Sequence, residues 1–291
     1  MNGILLVDKP AGWTSMDVCA KLRGALGERR IGHSGTLDPM ATGLLVVFLG
    51  RATRAVEFAE ADTKTYEAGL RLGLVTDTQD TTGTVLERHP IPMLSALPEA
   101  VLEQFRGEIL QIPPMYSAIK VEGRKLYQLA RKGKEVERPA RPVTIHALEQ
   151  TGRSADGDWL LRVACSKGTY IRTLCHDLGA ALGCGGAMSA LRRTRAGTFD
   201  LADAHTLEEI LSAAAEGRAE RLLLPVETLF SALPVWTLTA AQEKVIRNGG
   251  SFTCPAAPGE YRLRSREGAF LALGRAEDGI MHSVKSFFEI S

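Results

Sequence analysis

Arg30-Ile31-Gly32-His33-Ser34-Gly35-Thr36-Leu37-Asp38-Pro39 sets one carboxylate among conformational specialists. Gly32 and Gly35 permit positive φ and close backbone approach. Pro39 fixes its own φ and biases Asp38 away from the α region. Asp38 is therefore predicted on a constrained loop and not on a helix face. The apolar run at residues 44–49 follows and reads as a buried strand. A carboxylate on a stiff loop beside a core strand suits a nucleophile or an acid/base group. Taken alone, the same residues also suit a plain turn with a capping aspartate.

Working outward, residues 3–7 read as a strand. Thr14 or Ser15 can cap a helix whose apolar face includes Val18, Leu22 and Leu26. Residues 51–61 look helical, and 66–74 alternate with Tyr66, Ala68, Leu70 and Leu72 on one side. A proline-rich connection at 90–97 leads to a helix expected over 96–105. Residues 160–165 are strand-like and 169–182 helical. Strands and helices intersperse irregularly, so the expected class is α+β and not a doubly wound parallel sheet. Past residue 225, short strand-like pieces between glycines and prolines suggest a compact β-rich module.

The chain has 291 residues, 45% of them apolar, enough for one large domain or two unequal ones. No apolar run reaches the ~18 residues of a membrane helix. The N-terminus shows no basic region followed by a cleavage site, so the expected location is the cytoplasm. Five cysteines with no C-x-x-C pair support neither a disulfide scaffold nor a zinc site. The formal net charge is only +1, but residues 120–141 hold eight basic side chains against three acidic ones. A second cluster is Arg192, Arg193 and Arg195. Such patches can neutralise phosphates, and they also suit a solvated helix face.

Four motifs stand in order: Gly3-Ile-Leu-Leu-Val-Asp8-Lys9-Pro10-Ala-Gly12-Trp-Thr14-Ser15, then Gly32-His33-Ser34-Gly35-Thr36-Leu37-Asp38-Pro39-Met-Ala41-Thr42-Gly43, then Lys64-Thr65-Tyr66-Glu67, then Lys167-Gly168-Thr169-Tyr170-Ile171-Arg172. This set resembles the TruB family of bacterial tRNA pseudouridine-55 synthases. The resemblance runs over about residues 3–193. From about residue 225 only a general likeness to a small RNA-binding PUA domain remains. The resemblance implies a mixed, mainly antiparallel pseudouridine-synthase sheet with flanking helices in residues 1–230. It implies a thumb-like insertion at about 113–142 that clamps an RNA stem-loop, and a PUA-like RNA-binding domain at 231–291. The implied substrate is the T-arm stem-loop of tRNA. No cofactor, metal or obligate protein partner is implied.

The implied reaction breaks the bond between uracil nitrogen and ribose and rejoins the ring through carbon. Asp38 is the implied catalytic group, and attack on the base, attack on the sugar and elimination across the sugar all stay open. Each needs an ionised carboxylate, so a neighbouring cation is expected to lower the pKa of Asp38. By resemblance Arg172 pairs with it, and guanidinium geometry suits that pairing. A target inside a stacked loop must first be flipped out, at a cost of a few kcal/mol. Tyr66 is placed by the resemblance against the flipped uracil, with a proton-transfer role open to it. Tyr170 and Leu191 match positions that contact the nucleotide, and His33 one that fills the gap left by the base. Candidates for RNA backbone contacts are Lys9, Lys120, Arg124, Lys125, Arg131, Lys132, Arg192 and Arg193.

Three other patterns fail on chemistry. Cys175-His176-Asp177 spells a relay, but consecutive helix residues point about 100° apart. His176 also stands where the family pattern has an acid. Asp77-Thr-Gln-Asp80-Thr-Thr-Gly83 lacks a calcium loop's acidic ligands at its later positions. Gly183-Cys184-Gly185-Gly186 lacks the lysine of a P-loop. Three other functions stay in view: a synthase for another RNA stem-loop, a non-catalytic RNA-binding or RNA-folding protein, and more remotely an aspartate-nucleophile hydrolase.

Overall fold

The computed structural model describes residues 1–60, 63–117, 119–121, 123–130 and 132–288, without the side chains of 60, 120, 121, 125 and 127. Strand β1 (Gly3–Lys9) leads into helix α1 (Ser15–Leu26). Thr14 caps α1 in a reciprocal box with Asp17, which leaves Ser15 free for another use. Strands β2 (Ile31–Ser34) and β3 (Thr42–Leu49) flank the Asp38 loop. The opening segment is thus part strand, part bend.

The helix expected over 51–61 is instead a 3-10 segment (Gly50–Ala55) followed by α2 (Val56–Glu60). Thr53 donates its hydroxyl to the Gly50 carbonyl at 2.7 Å, a local i−3 bond within the tighter turn. Ala61 lies outside the described residues. Strand β4 (Lys64–Leu72) continues past Gly73 into β5 (Leu74–Thr76), which pairs with β6 (Val85–Arg88). Helix α3 (Glu99–Glu103) is shorter than expected, because Pro98 disfavours the α region at Leu97 and sits at the N-cap itself.

Strand β7 (Gly107–Gln111) is followed by the small pair β8 (Lys120–Val121) and β9 (Arg124–Lys125) and by α4 (Leu126–Ala130). Strand β10 (Arg141–Arg153) then pairs antiparallel with β7, Arg141 opposite Gln111. The basic insertion thus leaves and re-enters the sheet at one place. Leu126 and Leu129 of α4 are buried, as their spacing predicts.

Strand β11 (Trp159–Cys165), helix α5 (Ile171–Ala181), strand β12 (Gly186–Ala196), short strands β13 (Phe199–Asp200) and β14 (His205–Thr206) and helix α6 (Leu207–Ala215) complete the first unit. The main sheet runs β14-β1-β3-β12-β4-β11-β10-β7, with β2 on β3 and β13 on β12. Pairing is antiparallel except at β1–β14 and β3–β12. The α+β reading with a mainly antiparallel sheet holds. At β3–β12 only Thr42 and Gly43 pair, with Arg192 and Arg193. This short parallel seam joins the two halves of the sheet. Gly43 makes it possible: at φ +95°, a Cβ there would lie 2.3 Å from the Arg193 carbonyl oxygen.

Both faces of β3 are buried, which is why it reads as a continuous apolar run and not as an alternation. Leu45, Val47 and Leu49 join Val18 and Leu22 of α1 in one core, while Leu44, Val46 and Phe48 join Phe230 and Phe287 in another.

The second core joins a five-stranded sheet ordered β15-β17-β18-β19-β16. Its strands are β15 (Val235–Thr237), β16 (Phe252–Thr253), β17 (Gly259–Arg264), β18 (Phe270–Glu277) and β19 (Ile280–Ser286), with helix α7 (Ala240–Arg247). The Phe230 ring lies 5.4 Å from Phe58, 5.9 Å from Phe270 and 5.8 Å from Phe287. Glu227 accepts from Arg264 at 2.7 Å and from Arg262 at 3.2 Å. Among the described residues, no helix is long and apolar enough to cross a membrane.

Candidate active site

The Asp38 loop is tied down on both sides of the carboxylate. Leu37, 2% exposed, exchanges two hydrogen bonds with the Ser15 hydroxyl, its N–H donating at 2.9 Å and its carbonyl accepting at 3.2 Å. Pro39 offers its carbonyl to the Gly12 N–H at 2.8 Å. Asp38 is thus held by the β1–α1 connection, the first of the four sequence motifs.

Arg172, in the first turn of α5, closes the site from the opposite side. Its Nε lies 2.9 Å from Asp38 Oδ2 in an ion pair, and its Nη2 donates to Oδ1 at 3.4 Å. The same guanidinium donates to the Thr78 carbonyl at 3.1 Å and the Tyr116 carbonyl at 2.9 Å, and sits 3.8 Å from Asp80 Oδ2. The Arg172 side chain is 5% exposed, that of Asp38 34%. One face of the carboxylate is therefore open while the arginine beneath it is dry.

The pKa of Asp38 departs from the sequence expectation. Burial pushes the carboxyl above its ordinary range. Arg172 opposes that rise, the Asp80 carboxylate adds to it, and Lys9 opposes it weakly. The cation is present as expected, but desolvation outweighs it.

Asp80 was not singled out from the sequence. It is 5% exposed and accepts from the Thr78 hydroxyl at 2.9 Å, the Thr82 N–H at 2.9 Å and the Thr82 hydroxyl at 2.5 Å. The failed calcium loop is thus an Asx turn facing Arg172. Threonines on both sides of Asp80 are the signal that could have found it. Gln79, at φ +63°, accepts from the Thr173 hydroxyl at 2.8 Å and fastens this turn to α5. Gln111 bonds both backbone groups of Tyr170, at 2.8 and 3.0 Å, which fixes the start of α5. Neither glutamine carries a sequence signal beyond its neighbourhood.

Tyr66 lies on β4 opposite Arg193 of β12 and Val163 of β11, 8% exposed. Burial raises the pKa of its phenol, and the neighbouring Arg193 works against that rise. Tyr170 is half-buried at the N-cap of α5, and burial raises its pKa too. Leu191 is 8% exposed in the main core. His33 is half-buried on β2, its buried Nδ1 without a partner. Burial first and Arg193 second lower its pKa, which favours the neutral ring.

Two of the proposed RNA contacts are contradicted. Lys9 is fully buried, with Nζ donating to the carbonyls of Trp13 at 2.6 Å, Pro10 at 2.9 Å and Pro39 at 3.4 Å. Burial lowers its pKa to about 8. Arg193 is 1% exposed. Neither reaches a phosphate, because both are turned inward to satisfy main-chain acceptors. Arg192 is 40% exposed, but its fork holds Asp8 at 2.8 and 3.1 Å. Arg124 and Lys132 are exposed on the insertion. Arg131 and the side chains of Lys120 and Lys125 lie outside the described residues. Cys175 is fully buried with its thiol pushed up to about 12, which removes it as a nucleophile. A cavity of about 890 Å3 is lined by residues including His89, Arg153 and Trp159, and Asp38 is not among its lining residues.

Residues 23–171 match the model of the TruB family pseudouridylate synthase N-terminal domain. Residues 172–231 match that of the tRNA pseudouridylate synthase B C-terminal domain. A protein of Azoarcus sp. named tRNA pseudouridine synthase B is 46% identical over 96% of this chain and 92% of its own. One of the same name from Thermobifida fusca is 43% identical over 98% of both chains. A solved H/ACA RNP bound to a substrate RNA containing 2'-deoxyuridine includes a chain 25% identical to this one. The two superpose with a TM-score of 0.71 over 99% of this chain and 85% of that one. By sequence and by fold, the chain belongs to the TruB family of pseudouridylate synthases.

Proposed function

We propose that this protein isomerises uridine 55 in the T-loop of tRNA to pseudouridine, with Asp38 as the catalytic carboxylate. The observation that carries the reading is the Asp38–Arg172 pair, half open to solvent on one side and dry on the other. The guanidinium aims the carboxylate and favours its ionised form against burial. The reaction is internally balanced: the carbon–nitrogen bond that breaks and the carbon–carbon bond that forms share the same ring, C5 gives up a proton, and the freed N1 takes one up. It calls for no redox partner.

Tyr66, Tyr170 and Leu191 are suited to receive a flipped base, with His33 facing the stack it leaves. Aromatic stacking offsets part of the few kcal/mol that extrusion costs. The exposed cations of the insertion suit a tRNA arm, and the same grip would serve RNA refolding. The reading divides the chain into a catalytic unit at 1–230 and an RNA-binding unit at 231–291, and puts the enzyme in the cytoplasm with its substrate.

Tritium release from tRNA labelled at uracil C5 tests it. Wild-type enzyme should release one equivalent per tRNA, and a T-loop with uridine 55 replaced by cytidine should release none. Asp38→Asn should fall to background while still binding tRNA. Full turnover by Asp38→Asn would remove that carboxylate from the reaction.

A further inference from the structure

Arg193 looks like an RNA contact in the sequence, and the fold assigns it elsewhere. It is among the largest fully buried side chains. On β12 it stands in register with Tyr66 of β4 and, across the parallel seam, with Gly43 of β3. Its Nε donates to the Leu44 carbonyl at 2.7 Å and its Nη2 to the Gly35 carbonyl at 3.0 Å. Tyr66 neighbours the same guanidinium across the β4–β12 register, and its phenol lies within the electrostatic reach of that cation. At Gly35, φ +76°, a Cβ would lie 3.2 Å from Arg193 Nη1. The guanidinium is therefore packed directly under the bend that leads to Asp38.

Among the described residues, Arg193 forms no ion pair with a carboxylate. A buried cation without a counter-charge is expensive, and an apolar side chain would fill the space without that cost. What Arg193 supplies is a rigid fork that donates to two separate carbonyls beside Tyr66. Lysine has the charge but not that fork. Arginine carries no acceptor, so in a hydrogen bond between the two the Tyr66 oxygen is the acceptor. The phenolic proton of Tyr66 is then left for another acceptor.

We propose that Arg193 is a positioning residue that couples the Tyr66 hydroxyl to the Gly35 bend, fixing the aromatic wall and the Asp38 loop at one spacing and leaving Tyr66 as a donor toward the substrate. The inference rests on the reaction proposed at Asp38.

Full-length Arg193→Lys, Arg193→Met, Tyr66→Phe and the Arg193→Met/Tyr66→Phe double variant test it, by single-turnover tritium release and filter binding of whole tRNA. Arg193→Met should slow the rate at saturating enzyme by about 100-fold, the penalty of a misplacement near 1 Å. Arg193→Lys should recover only part, and tRNA affinity should stay within about threefold in both, because no phosphate contact is lost. In the Tyr66→Phe background the same arginine change should slow the rate far less, since the two act as a unit. Weaker binding with a normal saturated rate would overturn the proposal, as would equal slowing in both backgrounds. If the arginine variants do not fold, 15N-arginine spectra of the wild type and Tyr66→Phe decide. One buried guanidinium resonance must shift, and an unchanged spectrum refutes the coupling. Asp38→Asn in the same assay separates the two claims: if it stays active the reaction at Asp38 falls, whereas an inactive Asp38→Asn beside an unimpaired Arg193→Met sinks only the role of Arg193.

Discussion

Arg172→Met removes the cation between Asp38 and Asp80. The methionine fills much of the volume and returns none of the donors. Two carboxylates and the carbonyls of Thr78 and Tyr116 then lose their shared partner. Breaking a buried ion pair from one side costs about 3–5 kcal/mol. Water softens the share of Asp38, whose side chain is 34% exposed. Asp80 has little such relief at 7%, although Thr78 and Thr82 still donate to it. The expected loss is therefore near the lower bound, about 3 kcal/mol. At an unfolding entropy of about 2.1 cal/mol/K per residue, that lowers the Tm of this 291-residue chain by roughly 5 °C.

The sign with pH follows from linkage. Burial already raises the Asp38 carboxyl, and without Arg172 it rises further. A raised carboxyl destabilises fully above its folded pKa, and the penalty fades as pH falls and the group takes up a proton. The gap between wild type and variant should be widest at neutral pH and narrow as the solution is acidified, down to the share owed to the two carbonyls. Urea unfolding at pH 7.5 and pH 5 measures both. A loss below about 1 kcal/mol, or a gap that ignores pH, would refute the reasoning. Adding Asp38→Asn to Arg172→Met should restore part of the loss, because it removes the unpaired charge.

Lys9 carries an opposite signature. Its pKa of about 8 lies below the ordinary 10.5, so the charged form is a burden that is complete below pH 8 and lifts between pH 8 and 10.5. Stability of the wild type relative to Lys9→Met should therefore improve between pH 7 and pH 10 in parallel denaturant titrations, and a flat difference would contradict it. Gly43→Ala forces a Cβ to 2.3 Å from the Arg193 carbonyl oxygen at a positive φ, and should cost about 3 kcal/mol or more in thermal unfolding. A melt matching the wild type would mean the β3–β12 seam is not so close. Arg124→Ala and Lys132→Ala, both exposed, should each lower the slope of log affinity against log salt for tRNA by about 1 without altering Tm. An unchanged slope would take the insertion off the RNA.

The sequence carried the frame of the site better than its interior. Asp38 stands out through the ordered family motifs, because the Gly-x-x-Asp-Pro bend alone suits a plain turn as well. Strand alternation puts Tyr66 on one face with Ala68 and Leu70, but a role at the base comes only with the family motif. Arg172 followed from the family motif and the geometry of its fork, and the 2.9 Å contact agrees. Lys9 and Arg193 were misread because a cation in a motif looks the same whether it faces water or carbonyls. Only the register of β12 against β4 and the turn after β1 decides that, and both are non-local. Asp80 went unread for a related reason. Its partner Arg172 lies more than ninety residues away, and the local Asp-Thr pattern gives no sign of a distant cation. The direction of the Asp38 pKa depends on burial created by several distant segments closing together.

The placement of charge leads to one further consequence. Lys9, Lys64 and Arg193 are all buried near the Asp38 loop, so three cations counted in the net charge of +1 contribute little to the surface. Of these, Lys9 moderates the penalty of burying the Asp38 carboxylate, after the larger effect of Arg172. The exterior is correspondingly less basic than the sum implies, and Arg192 is half neutralised by Asp8. Attraction of a polyanion must then come largely from the insertion, where Arg124, Lys132 and Lys134 are exposed. The chain thus separates two uses of positive charge that its sequence presents alike: buried cations that build the loop around one carboxylate, and exposed ones on a segment that leaves and re-enters the sheet at a single point. Changes to the first group should alter rate and stability with little effect on the salt dependence of binding, and changes to the second should do the reverse.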